Sequence, residues 1–165
     1  MTEKTRQKLI ILTGSPCVGK TTIADSLFCL YENSAHLDDD RIWRVNPFSF
    51  DDPRNDAIYT HMSFILSSYL NLGFDYVILS SVRMIGDGRD TLQNSIPAAN
   101  YMTIGFTLTC SEKTLTERHR QRGDSGDVSF KWLHKPPYSG DFVIDTDDKS
   151  VEQIAREMKN VIDAL

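Results

Sequence analysis

The sequence has no apolar run approaching the length of a membrane span, which excludes a helical transmembrane segment. Met1 to Lys8 is polar and charged with no apolar stretch behind it, so a secretory leader is not expected. Positive charge is not in excess. Eighteen Lys and Arg against 23 Asp and Glu give a formal net charge of −5. A groove that tracks a long nucleic acid wants the opposite balance, so such a partner is not expected. Cysteine is sparse. Cys17, Cys29 and Cys110 are odd in number and have no metal-ligand spacing. Free thiols in a reducing cytoplasm are expected, rather than a disulfide framework. The four histidines are scattered and form no ligand pattern. Repeats, low-complexity tracts and obvious linkers are all missing. At 165 residues, 40% hydrophobic and 25% charged, the chain is expected to form one domain, 1–165, with a substantial core.

What is present begins with Gly14-Ser15-Pro16-Cys17-Val18-Gly19-Lys20-Thr21-Thr22, which reads G-x-x-x-x-G-K-T. This is the pattern of a phosphate-binding loop. The apolar run Leu9 to Thr13 before it reads as a buried strand, and Thr22 to Phe28 after it as a helix. Gly14 and Gly19 permit backbone conformations that a Cβ would block. The loop N–H groups can then surround a polyphosphate, with the helix that opens at Lys20 aimed at the same anion. Lys20 is expected to reach the β- and γ-phosphates, and the Thr21 hydroxyl to hold Mg²⁺.

Strands and helices alternate along the rest of the chain, predicting an α/β fold with a parallel sheet covered on both faces. Ser34 to Leu37 reads as a second strand ending in Asp38-Asp39-Asp40. A helix is predicted from about Asn55 to Leu72, stopped by Gly73. Phe74 to Ser80 holds a third strand. Met84 to Asp90 reads as a loop because of Gly86, Asp87 and Gly88, with a modest helix over Asp90 to Ala98. Tyr101 to Thr109 is a fourth strand, and Ser111 can cap the helix that follows. Gly123 to Gly140 is long and polar for a plain connection, which favours a mobile functional segment. Phe142 to Ile144 is a fifth strand. Ser150-x-x-Gln153 is a capping box before an amphipathic helix.

Three groups outside the loop could carry chemistry. Ligands of open parallel sheets bind beyond the carboxyl ends of the strands, where the triple aspartate falls. One carboxylate could accept a proton from an attacking hydroxyl or hold a Mg²⁺ water. Asp38 and Asp40 are favoured, because they point to similar sides if the chain stays extended. A solvated acidic loop is the plainer alternative. Arg118 and Arg122 are four apart and share a helical face, where guanidinium groups suit phosphate oxygens. A basic surface helix including Lys113 and Arg120 is the alternative there. Arg41, Arg44 and Arg83 lie near strand ends, with surface salt bridges an equal alternative. Trp43, Phe48 and Phe50 could line a pocket for a flat acceptor, though core packing is the commoner fate of such residues. One expected piece is missing. The third strand ends in Ser80-Ser81, where a phosphate-loop ATPase carries an acid that supports Mg²⁺.

On these residues the sequence resembles the small P-loop kinases related to nucleoside monophosphate kinases, shikimate kinase and chloramphenicol phosphotransferase. It looks most like the tunicamycin-resistance-type ATP-binding proteins. The likeness rests on Gly14–Thr22, on Leu37-Asp38-Asp39-Asp40, and on Trp43-Arg44-Val45-Asn46-Pro47-Phe48. Leu115-x-x-Arg118-x-x-x-Arg122 resembles the entry to the family's lid. Ile144-Asp145-Thr146-Asp147 resembles the segment whose backbone lies against adenine. The resemblance implies a three-layer P-loop NTPase fold with a five-stranded parallel sheet in the order 2-3-1-4-5. It implies ATP as phosphoryl donor, a lid at about 118–138 and an acceptor side at about 41–72. Lys20, Asp38, Asp40, Arg118 and Arg122 would then be catalytic. Asp145 and Thr146, with Arg118 and the phosphate loop, would bind nucleotide.

The expected function is an ATP-dependent kinase for a small hydroxylated or phosphorylated metabolite, nucleoside or antibiotic. A nucleotide-binding switch or resistance protein without rapid transfer is the second reading. A polynucleotide 5′-hydroxyl kinase is the third, opposed by the acidic balance. Monomer and homodimer both stay open.

Overall fold

The computed structural model describes residues 6–49, 51–98, 100–124 and 126–165. Its centre is β1 (Gln7–Gly14), buried from Lys8 onward and hydrogen-bonded in parallel to a strand on each side. A strand with both faces covered can be apolar throughout, which is why Leu9-Ile10-Ile11-Leu12 shows no alternation. Ile10 and Leu12 face one core cluster, and Leu9 and Ile11 the other. Each such fully buried side chain contributes about 1.5–3 kcal/mol.

The remaining strands are β2 (Ser34–Asp38), β3 (Tyr76–Ser80), β4 (Tyr101–Thr109) and β5 (Phe142–Asp145). All pairings are parallel and the order is β2-β3-β1-β4-β5, as expected. Helices α1 (Lys20–Phe28), α5 (Glu112–Arg122) and α6 (Val151–Asp163) supply one outer layer, through side chains such as Leu27, Leu115 and Met158. Helices α3 (Ala57–Leu72) and α4 (Gly88–Ser95) supply the other, through Met62, Leu66 and Leu92. The fold is therefore the three-layer P-loop arrangement.

Local signals explain most boundaries. Ser111 accepts from the Thr114 amide and Ser150 forms its capping box with Gln153, fixing the starts of α5 and α6. Gly73 ends α3 in the left-handed conformation, and a 3-10 turn, Pro53–Asp56, precedes that helix. Two expectations change. The helix placed over Asp90 to Ala98 starts earlier, at Gly88. That glycine is there for packing, since a Cβ would lie 2.3 Å from the Arg83 carbonyl oxygen. The chain also does not stay extended past Asp38. It turns into a short helix, α2 (Asp39–Ile42), with Asp38 as its cap.

Candidate active site

The phosphate loop lies at the carboxyl end of β1, where α1 leads on to β2 at one edge of the sheet while α5, after the neighbouring β4, leads on to β5 at the other. Ligand-binding crevices form at such switch points of open parallel sheets. Gly14 has φ of 148° and Gly19 of 102°. A Cβ on Gly14 would sit 2.6 Å from the Leu108 carbonyl oxygen, so β4 presses on the start of the loop. Cys17 takes a positive φ of 65° without being glycine. Lys20 folds back, its Nζ donating to the Gly14 and Ser15 carbonyls at 3.0 and 2.9 Å. Burial pulls its pKa down to about 8, against the opposing pull of Asp40, Asp39 and Asp38. Among the described residues the buried Ser15 hydroxyl has no hydrogen-bond partner. A cradle holding an ammonium and an unsatisfied hydroxyl fits a phosphate group.

A cleft of about 790 Å³ opens over this loop. Residues Pro16 to Ile23 form its floor. One end is walled by Asp39, Asp40, Trp43, Phe48, Val82 and Arg83. The other is walled by Arg118, Gln121, Arg122, Asp124, Lys149, Val151 and Ile154.

The three aspartates separate by burial. Asp38 and Asp39 are buried and Asp40 is exposed. Asp38 is committed. Its Oδ2 accepts from Thr21 Oγ1 at 2.5 Å and from Ser80 Oγ at 3.0 Å, and its Oδ1 accepts the Asp40 amide at 3.0 Å. Asp39 accepts from Ser81 Oγ at 2.7 Å and lies 3.4 Å from Arg83 Nε. Burial raises the Asp39 pKa to about 6, with the Ser81 bond opposing. The favoured pair, Asp38 and Asp40, rested on an extended chain. With α2 beginning at Asp39, the buried carboxylate that lines the cleft is Asp39, and Asp40 sits at its rim. The signal for this was in the sequence, since an aspartate ahead of Asp-Asp-Arg reads as a helix cap.

The two arginines share a face of α5 but differ in role. Arg118 donates to the Val18 carbonyl at 3.1 Å, to Thr146 Oγ1 at 2.9 Å and to the Thr146 carbonyl at 3.1 Å. It ties the phosphate loop to the end of β5. Arg122 is exposed, 3.4 Å from Asp124 and 3.9 Å from the Cys17 sulfur. Thr146 is fully buried and its hydroxyl also donates to the Thr109 carbonyl, so its side chain faces away from the cleft. Asp145 accepts the Asp147 amide. Neither side chain lines the cleft, which leaves their backbone for any nucleotide contact. Gln121 and Lys149 do line it, and no sequence pattern marked them.

Trp43 is held at the cleft wall by a 2.9 Å bond from its Nε1 to Asn55 Oδ1, and Phe48 stands beside it, half exposed. Phe50, the third aromatic of the expected pocket, lies outside the described residues. Arg41 pairs with Asp25 at 3.3 Å on the surface, while Arg83 is the one of the three strand-end arginines that lines the cleft.

A family model described as an AAA domain matches residues 9–133, which span the phosphate loop, the aspartates and both arginines. The chain belongs to this AAA-domain family. No curated protein matches it. Solved structures share the fold of this AAA domain at low identity. The Mycobacterium tuberculosis APS kinase CysC, in complex with AMPPNP and APS, has a TM-score of 0.73 at 14% identity, covering 96% of this chain and 98% of that one. The Deinococcus radiodurans tunicamycin resistance protein has a TM-score of 0.68 at 19% identity, covering 95% and 96%. A gluconokinase from Sinorhizobium meliloti 1021 has a TM-score of 0.64 at 18% identity, covering 98% and 99%. The AAA domain thus has the fold of small P-loop kinases along nearly its whole length.

Proposed function

We propose that this protein transfers the γ-phosphoryl group of ATP to a hydroxyl of a small molecule in the cytoplasm. The observation that carries the reading is the meeting, in one cleft, of the phosphate loop and the buried Asp39 carboxylate. Lys20 would leave its carbonyl partners for the phosphates. Arg122 would exchange Asp124 for them, since an exposed ion pair holds it with only about 0–1 kcal/mol. Arg118 shapes the loop from behind. The segment at about 118–138 would cover nucleotide, and the segment at about 41–72 would hold the acceptor against Trp43 and Phe48.

Asp39 is placed to take the proton. Its pKa of about 6 leaves it ionised at neutral pH yet close enough to accept a proton in the transition state. The acceptor oxygen bonds to the γ-phosphorus, the bond to the β–γ bridging oxygen breaks, the proton passes to Asp39 and ADP leaves. Thr21 Oγ1 and Asp38 Oδ2 are hard oxygens at hydrogen-bond distance, a donor set that fits Mg²⁺ with retained waters. When bound, that ion would neutralise charge on the phosphates.

The test is a screen of hydroxylated small molecules for acceptor-dependent ADP release, followed by two variants. Lys20→Ala should lose the rise in Tm that ATP with Mg²⁺ gives the wild type. Asp39→Asn should keep that rise and release ADP at least about a hundredfold more slowly. Full turnover by Asp39→Asn would remove the carboxylate from the reaction.

A further inference from the structure

The two ends of the cleft differ in charge. At the end read as nucleotide-binding, Arg118, Arg122 and Lys149 line it against Asp124 alone. At the acceptor end, Asp39 and Asp40 stand against Arg83 alone. That one cation is already matched. Arg83 Nε lies 3.4 Å from Asp39 Oδ2, and the Arg83 amide is held by Ser81 Oγ at 3.0 Å. Asp40 is exposed and makes no ion pair among the described residues. Of the three aspartates it acts most strongly on Lys20. A bound polyphosphate would claim that ammonium and leave Asp40 uncompensated. Beside Asp40 stands an aromatic wall. Trp43 comes three residues later, and its amide donates to the Asp39 carbonyl at 3.1 Å, so it closes the turn of α2 on the side of Asp40. Its indole is fixed by Asn55 Oδ1 at 2.9 Å and meets the His61 ring at 5.5 Å between centroids. The same Asn55 donates Nδ2 to the Ser49 carbonyl at 2.6 Å, which steadies the residue next to Phe48. One buried amide thus holds both aromatic residues of the cleft wall. Fixed aromatic faces beside a carboxylate attract an organic ammonium and offer an anion nothing.

We propose that the acceptor is a hydroxylated organic cation, an amino alcohol or its quaternary form, whose ammonium group is held by Asp40 and the rings of Trp43 and Phe48. The inference rests on the reading of this end of the cleft as the acceptor side of a kinase, and it sets phosphorylated and carboxylated acceptors aside. Asp39 faces the reacting hydroxyl and Asp40 the ammonium. Oxygens of the three aspartates lie within 4.8 Å of one another, so the hydroxyl and the ammonium belong only a few atoms apart in the same molecule. Trp43 and Phe48 cover the apolar frame that joins or carries them.

The test compares matched compounds that differ in charge. One set is phenylethanolamine, its neutral isostere phenylpropanol and its anionic counterpart β-hydroxy-β-phenylpropionate. The other is choline, dimethylbutanol and β-hydroxypropionate. Binding of each is measured by NMR titration with ADP and Mg²⁺ present. Each cation should bind about tenfold more tightly than its anion, or better, and about threefold more tightly than its neutral isostere. Asp40→Asn should bring cation and isostere within about twofold, while Asp40→Glu keeps the order. The charge of ADP acts equally in all three proteins, so the difference belongs to Asp40. Trp43→Leu should weaken the cations more than the anions. The inference is overturned by anions that bind as well as the cations, by no saturable binding of either cation, or by a cation preference that survives Asp40→Asn. ADP release from ATP is followed with the same compounds. Turnover of the anions alone overturns the cation and leaves the kinase reading standing. Cation binding that Asp40→Asn abolishes, with no ADP release, upholds the cation and counts against the kinase reading.

Discussion

Lys20 and Asp39 line the same cleft, and burial pushes each toward its neutral form. For Lys20 the consequence is a proton taken up on binding. Its pKa is lowered to about 8, and a bound polyphosphate raises it again by favouring the ammonium form. Below about pH 7 the group is already charged, so ATP binding should take up little proton there. Uptake should climb toward one proton near pH 9, and affinity should fall as pH rises through about 8. Calorimetry in two buffers of different ionisation enthalpy measures this; a pH-independent uptake would show that Lys20 is not the phosphate ligand. For Asp39 the consequence is a stability penalty. Its pKa is raised from 3.8 to about 6, so the folded state binds this proton more tightly than the unfolded state. The penalty is full above about pH 6, shrinks as pH falls, and is gone below about pH 4. Asp39→Asn should therefore stabilise the protein at pH 7.5, by on the order of 2–3 kcal/mol, and give no gain at pH 4. Urea unfolding at both pH values reads it.

The junction of β2 with α2 shows what was legible at the scale of elements and what was not. The phosphate loop, its flanking strand and its helix could be read because glycine spacing and an unbroken apolar run are local signals. The turn after Asp38 was missed because three consecutive carboxylates look alike when the next element is unseen. Gly88 misled for a similar reason. A glycine required by close packing carries the same letter as one that breaks a helix. The pairing of Arg89 with Asp141 was not legible at all, since 52 residues separate partners that carry no pattern. In the structure Arg89 donates two bonds to Asp141, at 2.9 and 2.8 Å, and both side chains are 2% exposed. Thr107 donates to the same carboxylate at 2.8 Å, the Tyr138 ring covers the guanidinium, and Tyr138 hydrogen-bonds to Asp90. The carboxylate rests on Gly105, where any Cβ would collide with it. Breaking one partner strands a buried charge. Arg89→Met should cost about 3–5 kcal/mol in urea unfolding, and Arg89→Met with Asp141→Leu should recover a large part of that. A single substitution that costs nothing would mean that water reaches the pair.

At the scale of the molecule, the parallel sheet followed from alternation of apolar runs with helix signals, and the order of its five strands from the resemblance that the phosphate loop anchored. The two-sided core followed from the unbroken apolar run of β1. The long connection after α5 reads as polar, yet Val128, Phe130 and Leu133 within it pack against the core. That connection has fixed feet. Arg118 fastens the helix before it to Val18 and Thr146, and Arg89 fastens Asp141 at its far end. Both anchors join it to the parts that the sheet already holds rigid. A stretch clamped in this way rests on two posts, and between them its exposed positions can change sequence while Val128, Phe130 and Leu133 keep their places against the core. A framework built like this can change the surface of that connection without having to fold anew.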